Sequence, residues 1–484
     1  MLRTALASWL GFCTVAMGLA ALAERPPNVV VVFCDDLGSG ELPAYRALYD
    51  DSEPVQTAIG SFTPNLDQLA RDGVICTRAY GNNTCAPSRK SLLSGKWQTR
   101  RVSLGEHRLL GWRLRNAGLK TAHFGKFHHE VEKTITIPYH AEHLEFDEFF
   151  GFEAMTNYFR RAGEVIAERK NSPITYRVGD QTIDYQFPEE GAYLTDTLTE
   201  LSVDFINRCS AEGKPFLLYL PYNAPHTPIQ AKQEDLRTLF PTLAGEASVR
   251  QRIMAMMYAV DRGIGRLIHT LKASQQLERT LIVFTGDNNG EENLSLNHPL
   301  HGYKHEPFDG GIRVPFIVWS KALEGSSAKP AYYDGLVSLC DILPTALKHV
   351  DPSADLDALG SDGTDIMPFL MGEQPPLTGR RYINLRTLNH RSNNWDGGRD
   401  TEGETIGSCT ALIADEWKLL RLEQDHKQKS DYSDALHHLP DMVGKPRPRA
   451  SLREDYYGDT SSNPARKDAL IRELEELLQG SNLQ

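Results

Sequence analysis

The chain has 484 residues, 40% hydrophobic and 24% charged, and its 52 Lys and Arg against 64 Asp and Glu give a formal net charge of −12. That length can bury a large core and suits one big domain with a smaller companion. The acidic balance argues against nucleic acid as a partner, although a locally positive pocket can still take an anion.

The chain opens on a leader. Arg3 gives a short positive start, residues 5–22 an apolar core and Ala21 to Ala23 a small-residue cleavage site, the pattern of a secretory signal peptide. Residues 1–23 are therefore predicted to be removed, leaving a mature chain that starts near Glu24 and works in the periplasm or outside the cell. Cys13 lies inside the apolar core, in the wrong context for a lipoprotein attachment site. No later stretch is long and apolar enough to span a bilayer, so no stable membrane insertion is expected. The remaining cysteines, Cys34, Cys76, Cys85, Cys209, Cys340 and Cys409, are widely scattered. They form neither the framework of a disulfide-dense small domain nor a C-x-x-C pair, and their pairing stays open.

NVVVVF (28–33) is a continuous β-branched run and predicts the first strand. A helical pattern over 104–118 ends on Gly118, and TAHF (121–124) predicts the next strand. A helix over 195–209 opening on a Thr-Asp cap, a strand at PFLLYLP (215–221), a helix over 252–274 and a strand at TLIVFTG (280–286) follow. VPFIVWS (314–320), after a Gly-Gly turn, predicts a further strand. Strand and helix in alternation mean an α/β domain around a central, mostly parallel sheet flanked by helices, assigned to residues 24–372. GEQPPLTG (372–379) then reads as a linker. Residues 373–484 hold RRYINLR, CTALIADEWKLLRLE with a turn at Ala414-Asp415, and a closing amphipathic helix, a smaller α+β C-terminal subdomain with a short antiparallel sheet.

Each early strand runs into groups able to do chemistry: Asp35 and Asp36 after the first, Lys126, His128 and His129 after the second, His226 after the third, Asp287 and Asn288 after the fourth. Taken singly, DD and DNNG are ordinary turns and each histidine a satisfied structural one. Sites in open α/β sheets form at the carboxyl ends of strands, so four such coincidences point to one shared site. Asp35, Asp36, Asp287 and Asn288 offer only hard oxygens, which suits calcium or magnesium rather than zinc. A zinc reading of His128, His129 and Glu130 asks three adjacent residues to converge on one ion, and His129 is better placed as structural. Arg89, Lys126 and Lys304 are donors that would clamp a tetrahedral anion, phosphate or sulfate, while His128 and His226 suit proton transfer. Cys85 stands before PSRKSLLSG, a predicted helix with Pro87 in its first turn and Gly95 at its end. A thiolate would be stabilised at that N-terminus, yet acidic residues and a divalent metal do not resemble a cysteine–histidine hydrolase.

CAPSRKSLLSG resembles the C-x-P-S-R signature of the type I sulfatases, in the alkaline phosphatase-like superfamily. VVFCDDLG, GKFH, PHTP, FTGDNNG and YKHEPFDGGIRVP resemble further blocks of that family in its order, over about residues 27–370. Ser94 stands where threonine is commoner and Asp309 where the EGG block has glutamate, and the family's C-terminal ELYDL block is not recognisable, which leaves the substrate pocket open. The resemblance implies that Cys85 is converted to formylglycine by a formylglycine-generating enzyme, and that Asp35, Asp36, Asp287, Asn288 and the modified Cys85 hold one calcium ion. It also implies that Arg89 orients the formylglycine and that Asp287 takes the proton of its attacking hydroxyl. Lys126 and Lys304 would then hold sulfate, His226 protonate the leaving alcohol and His128 assist the expulsion of sulfate. The implied activity is sulfate ester hydrolysis on a small molecule or a sulfated carbohydrate. Two alternatives stand beside it: a phosphonate or phosphate ester hydrolase on the same fold, and a secreted glycan-binding relative without activity. For the substrate, His298 and His301 in SLNHPLHGYKH are candidates, and Arg386, His390 and Trp395 in the loop at 384–400 could line a sugar subsite or lie in a solvated connection.

Overall fold

The computed structural model describes residues 26–49, 57–98, 109–128, 146–152, 156–160, 174–183, 185, 187, 190–298, 300, 302–376, 381–387, 406–415, 417–424, 432–438 and 464–480. The leader at 1–23 lies outside them. The strands of the large sheet, in chain order, are β1 (Asn28–Asp35), β2 (Val74–Cys76), β3 (Lys120–Lys126), β4 (Glu148–Phe152), β5 (Thr175–Val178), β6 (Gln181–Ile183), β7 (Phe216–Pro225), β8 (Thr280–Gly286), β9 (Phe316–Trp319) and β10 (Tyr332–Tyr333). In space they run β10-β2-β9-β8-β1-β7-β3-β4-β5-β6. The five central strands β8, β1, β7, β3 and β4 are mutually parallel. Antiparallel pairings of β9 with β8 and of β5 with β4 extend the sheet on either side, so it is a mixed sheet with a parallel centre.

β1 is buried along its whole length and flanked on both sides, which is why it reads as a run of apolar residues without alternation. Its side chains divide between two cores by strand alternation. Val30, Val32 and Cys34 enter one core with α4 (Leu194–Glu212) and α5 (Val249–Ala273). Val29, Val31 and Phe33 enter the other with α2 (Cys85–Ser94), α3 (Leu110–Asn116) and α6 (Ile342–Val350). Helix α1 (Pro64–Asp72) joins the first of these layers.

Two helix starts differ from the sequence expectation. α4 begins at Leu194 directly after a two-residue strand, with no side-chain cap. Thr195 and Asp196 lie inside its first turn, and Asp196 instead pairs with Lys232 at 2.6 Å and Arg262 at 2.7 Å. α5 begins three residues earlier than its apolar pattern, because Ser248 and Gln251 form a reciprocal capping box. Of the pattern at 104–118, residues 104–108 fall outside the described residues, and Gly118 follows α3 with φ +93°.

Strands β11 (Arg381–Thr387), β12 (Ile406–Ala414), β13 (Trp417–Gln424) and β14 (Tyr432–His438) form a separate antiparallel sheet, turning at Asp415 with φ +54°. One face of it, Ala411, Ile413 and Leu420, packs on Tyr80, Phe308, Ile312 and Leu336 of the larger body. The other face, Leu412, Ala414 and Leu419, is covered by Leu470 and Leu474 of α7 (Pro464–Gly480). Cys34, Cys76, Cys85 and Cys209 are buried thiols, and no described helix is long and apolar enough to cross a membrane.

Candidate active site

The four strands β8, β1, β7 and β3 are neighbours in the sheet, and their carboxyl ends deliver the chemistry-bearing residues to one crevice. β1 ends on Asp35, and Asp36 turns the chain out at φ +59°, a conformation non-glycine residues rarely hold without local support. That support is present: the Asp36 amide donates to Asp287 Oδ1 at 3.0 Å. β8 ends on Gly286, so Asp287 and Asn288 follow at once, and the Asp287 amide donates to the Cys34 carbonyl at 3.0 Å. β3 ends on Lys126, with His128 two residues on at φ +29°. His226 follows β7. Gly125 has φ +140°, and a Cβ there would lie 2.0 Å from the Pro221 carbonyl oxygen. Only glycine allows β3 this approach to β7 just before Lys126.

The carboxylates and cations interlock. Lys126 Nζ binds Asp35, and Lys304 Nζ binds Asp36 Oδ2 at 2.7 Å. Arg89 donates to Asp287 Oδ2 at 3.1 Å and to the Lys126 carbonyl at 2.9 Å, and lies 3.6 Å from Asp35 Oδ1. Its guanidinium also sits over the Phe33 ring, 5.1 Å from the centroid. His226 Nε2 is 3.6 Å from Asp36 Oδ2, while its Nδ1 lies 2.7 Å from the Thr227 carbonyl oxygen. Burial opposes ionisation of Asp35, but Lys126, His226 and Arg89 outweigh it and hold that carboxyl well below the usual range. Asp36 is lowered in the same way against its burial, chiefly by Lys304. Asp287 is pushed well above the usual range by burial and by the Asp35 charge. Asp287 is thus the one of the three carboxylates that the cations around it do not hold ionised.

A divalent cation fits this cluster. Asp35 Oδ1 and Asn288 Oδ1 are buried and accept no hydrogen bond, although Asn288 Nδ2 donates to Asp36 Oδ1 at 2.8 Å and so fixes the amide's orientation. Ligand atoms of Asp35, Asp36 and His226 lie within 4.8 Å of one another, as do those of Asp35, Cys85 and Asp287. The set is dominated by hard oxygens, the donors calcium prefers. Of the zinc alternative, only His128 lies among the described residues.

Cys85 is the first residue of α2, which ends at Gly95 in the left-handed region, φ +66°, as the sequence pattern requires. Its Sγ lies 3.1 Å from His128 Nδ1. Burial pushes the thiol up to about 11, with Lys126 only partly opposing it. Burial, with Lys126 and Arg89 adding to it, lowers His128 to about 3. The proton therefore stays on sulfur, and the pair is no thiolate–imidazolium couple of the kind cysteine hydrolases use. As encoded, Cys85 is a poor nucleophile in a place built for one.

All of Asp35, Asp36, Cys85, Arg89, Lys126, His128, His226, Asp287, Asn288 and Lys304 come together here. Of the outer candidates, His298 is half-buried with its carbonyl oxygen 2.6 Å from where a Gly40 Cβ would lie, so its segment abuts the loop that follows Asp36. Arg386 lies on β11, paired in register with Cys409, and His301, His390 and Trp395 lie outside the described residues. Sequence reading passed over three supporting residues. Tyr158 is fully buried and donates its phenolic proton toward the carbonyls of Asn223, 2.7 Å, and His226, 2.8 Å. Glu291 meets Lys304 at 3.2 Å, and Asn289 binds the Ser39 amide at 2.6 Å. The signal for Asn289 and Glu291 is their nearness in the chain to Asn288, one and three residues on, and Tyr158 carries none.

Comparison with known proteins places these residues in context. A family model described as Sulfatase matches residues 27–352. The chain is 30% identical over 420 residues to the uncharacterized sulfatase YdeN of Escherichia coli (strain K12), covering 76% of this chain and 70% of that protein. It is likewise 30% identical over 410 residues to the N-acetylgalactosamine-6-sulfatase of Canis lupus familiaris, covering 77% and 71%. A crystal structure of Ps i-CgsB in complex with k-i-k-neocarrahexaose superposes with a TM-score of 0.71 at 26% identity, covering 95% of this chain and 94% of that one.

Proposed function

The chain belongs to the sulfatase family and is a sulfuric ester hydrolase, and from that premise we propose that it removes sulfate from a carbohydrate with a formylglycine made from Cys85 beside one calcium ion. The observation that carries the reading is the convergence of Cys85 with Asp35 and Asp287 within 4.8 Å. Lys126 and Lys304 stand on the same carboxylate cluster. Arg89, Lys126 and Lys304 balance Asp35, Asp36 and Asp287, so a bound dication leaves surplus positive charge matched to a sulfate group. Calcium would polarise the sulfate oxygens and ease loss of a hydroxyl proton, and formylglycine would supply that hydroxyl.

The chain's own residues divide the remaining work. Lys126 and Lys304 bind the sulfate oxygens where charge develops. Arg89, fully buried and bonded to Asp287 and the Lys126 carbonyl, fixes the start of α2 against β3. Asp287 is placed to hold the proton released as the S–O bond forms. His226 is oriented by its Nδ1 contact with the Thr227 carbonyl, which leaves Nε2 to protonate the departing alcohol oxygen. His128 Nδ1, facing residue 85 at 3.1 Å, is the base that helps expel sulfate.

The carbohydrate substrate is supported by the names of the relatives, an N-acetylgalactosamine-6-sulfatase and a neocarrahexaose complex. His298, His301, Arg386, His390 and Trp395 remain the proposed substrate contacts, residues 24–372 the proposed catalytic domain, and 373–484 the proposed subdomain. The leader supports export and maturation by a formylglycine-generating enzyme. Mass spectrometry of the Cys85 peptide from the native host decides the nucleophile: an aldehyde is expected, and an unmodified thiol would overturn the proposal. Paired assays on an aryl sulfate and an aryl phosphonate decide the reaction, with faster turnover of the phosphonate the contrary result.

A further inference from the structure

We infer that Lys418 of the C-terminal sheet is a positioning residue for the metal-binding loops, acting through the buried helical turn Asp309–Ile312. The inference rests on reading Asp35, Asp36, Asp287 and Asn288 as the calcium site. Lys418, on β13, is fully buried and donates to Asp309 Oδ1 at 2.9 Å. Arg313 donates to the other oxygen of that carboxylate at 3.1 Å. A buried lysine stays charged only when its partner is ionised and in place. The ion pair therefore locks the turn to the sheet.

The turn in turn holds both loops that carry the proposed ligands. The Asn289 side-chain amide donates to the Asp309 carbonyl at 3.1 Å and to the Arg313 carbonyl. The Asn289 backbone amide donates to the Gly311 carbonyl at 3.1 Å. Asn289 directly follows Asp287 and Asn288, and its Oδ1 accepts the Ser39 amide at 2.6 Å, which ties in the loop leaving Asp35 and Asp36. Ser39 Oγ meets the Arg313 carbonyl at 2.9 Å. A continuous set of hydrogen bonds thus runs from Lys418 to both ligand-bearing loops. Phe308 and Ile312 of the same turn, with Tyr80, pack in one buried apolar cluster with Ala411, Ile413 and Leu420.

Calorimetric titration of calcium alone into the full chain tests the inference, with melting temperatures measured in parallel. Lys418→Met is expected to weaken calcium binding by about tenfold, the scale of lost outer support at a metal site. Lys418→Arg, which keeps the charge, should restore binding to within about threefold of the parent. Leu474→Ala, which only uncovers the far face of the sheet, should lower the melting temperature and leave calcium affinity unchanged. If Lys418→Met does not fold, Lys418→Gln carries the same expectation. A Lys418→Met or Lys418→Gln protein that binds calcium within about twofold of the parent overturns the inference. So does a Leu474→Ala protein that loses affinity as much as Lys418→Met. A parent protein that takes up no calcium overturns the site reading itself, and this inference with it.

Discussion

At residue 85 the chain holds a thiol whose proton its surroundings keep in place, because burial outweighs the nearby lysine. The proposed conversion to an aldehyde would resolve that mismatch, and Cys85→Ala is expected to lower sulfate ester turnover by at least ~10³-fold with the melting temperature little changed. Steady-state assays and thermal melts on the purified protein check both halves. His226 makes a more selective prediction. A general acid matters most when the leaving group is a poor one, so His226→Ala should slow alkyl and sugar sulfates by about 10²–10⁴-fold and an activated aryl sulfate far less. Equal losses on both substrates would remove His226 from the acid role.

At the scale of elements, single residues decide whether strands can deliver their cargo. Gly125 brings β3 against β7 at a φ that only glycine holds easily, so Gly125→Ala is expected to cost on the order of 3 kcal/mol in chemical denaturation. The turn at Asp309 carries a pH signature. Burial opposes its ionisation, but Lys418 and Arg313 outweigh that and lower the carboxyl to about 2. Because the folded value lies below the unfolded one, the group's contribution is full above about pH 4 and disappears as pH falls through about 2. On the order of 2 kcal/mol is at stake. Denaturation curves of Asp309→Asn should therefore converge on those of the parent across that window, after allowance for the exposed carboxylates both share.

At the scale of the molecule, the proposed metal links site to stability. A ligand that binds only the folded chain raises stability with its concentration. Chelation of calcium from the purified protein is expected to lower the melting temperature by several degrees and abolish turnover, and added calcium to restore both. Asp35→Asn should make the melting temperature insensitive to calcium. A chelated parent with an unchanged melt would separate the carboxylate cluster from any metal role.

Much of this protein was legible in the sequence because its signals are local. VVVVF is apolar without a break since β1 is covered on both faces, and Gly95 stands where the backbone turns left-handed to end α2. The blocks around Asp35, Cys85, Lys126, His226 and Asp287 each follow a strand or begin a helix, so composition and order alone could gather them at one sheet edge. What the sequence could not determine is non-local. The order β8-β1-β7-β3 makes those blocks neighbours, and the ends of helices α4 and α5 follow contacts and caps rather than apolar spacing. The bond between Lys418 and Asp309 joins residues 109 positions apart. No periodicity records such a pairing, because its cause is the packing of a separate sheet on a buried turn, and only the tertiary structure brings the two charges out of water together.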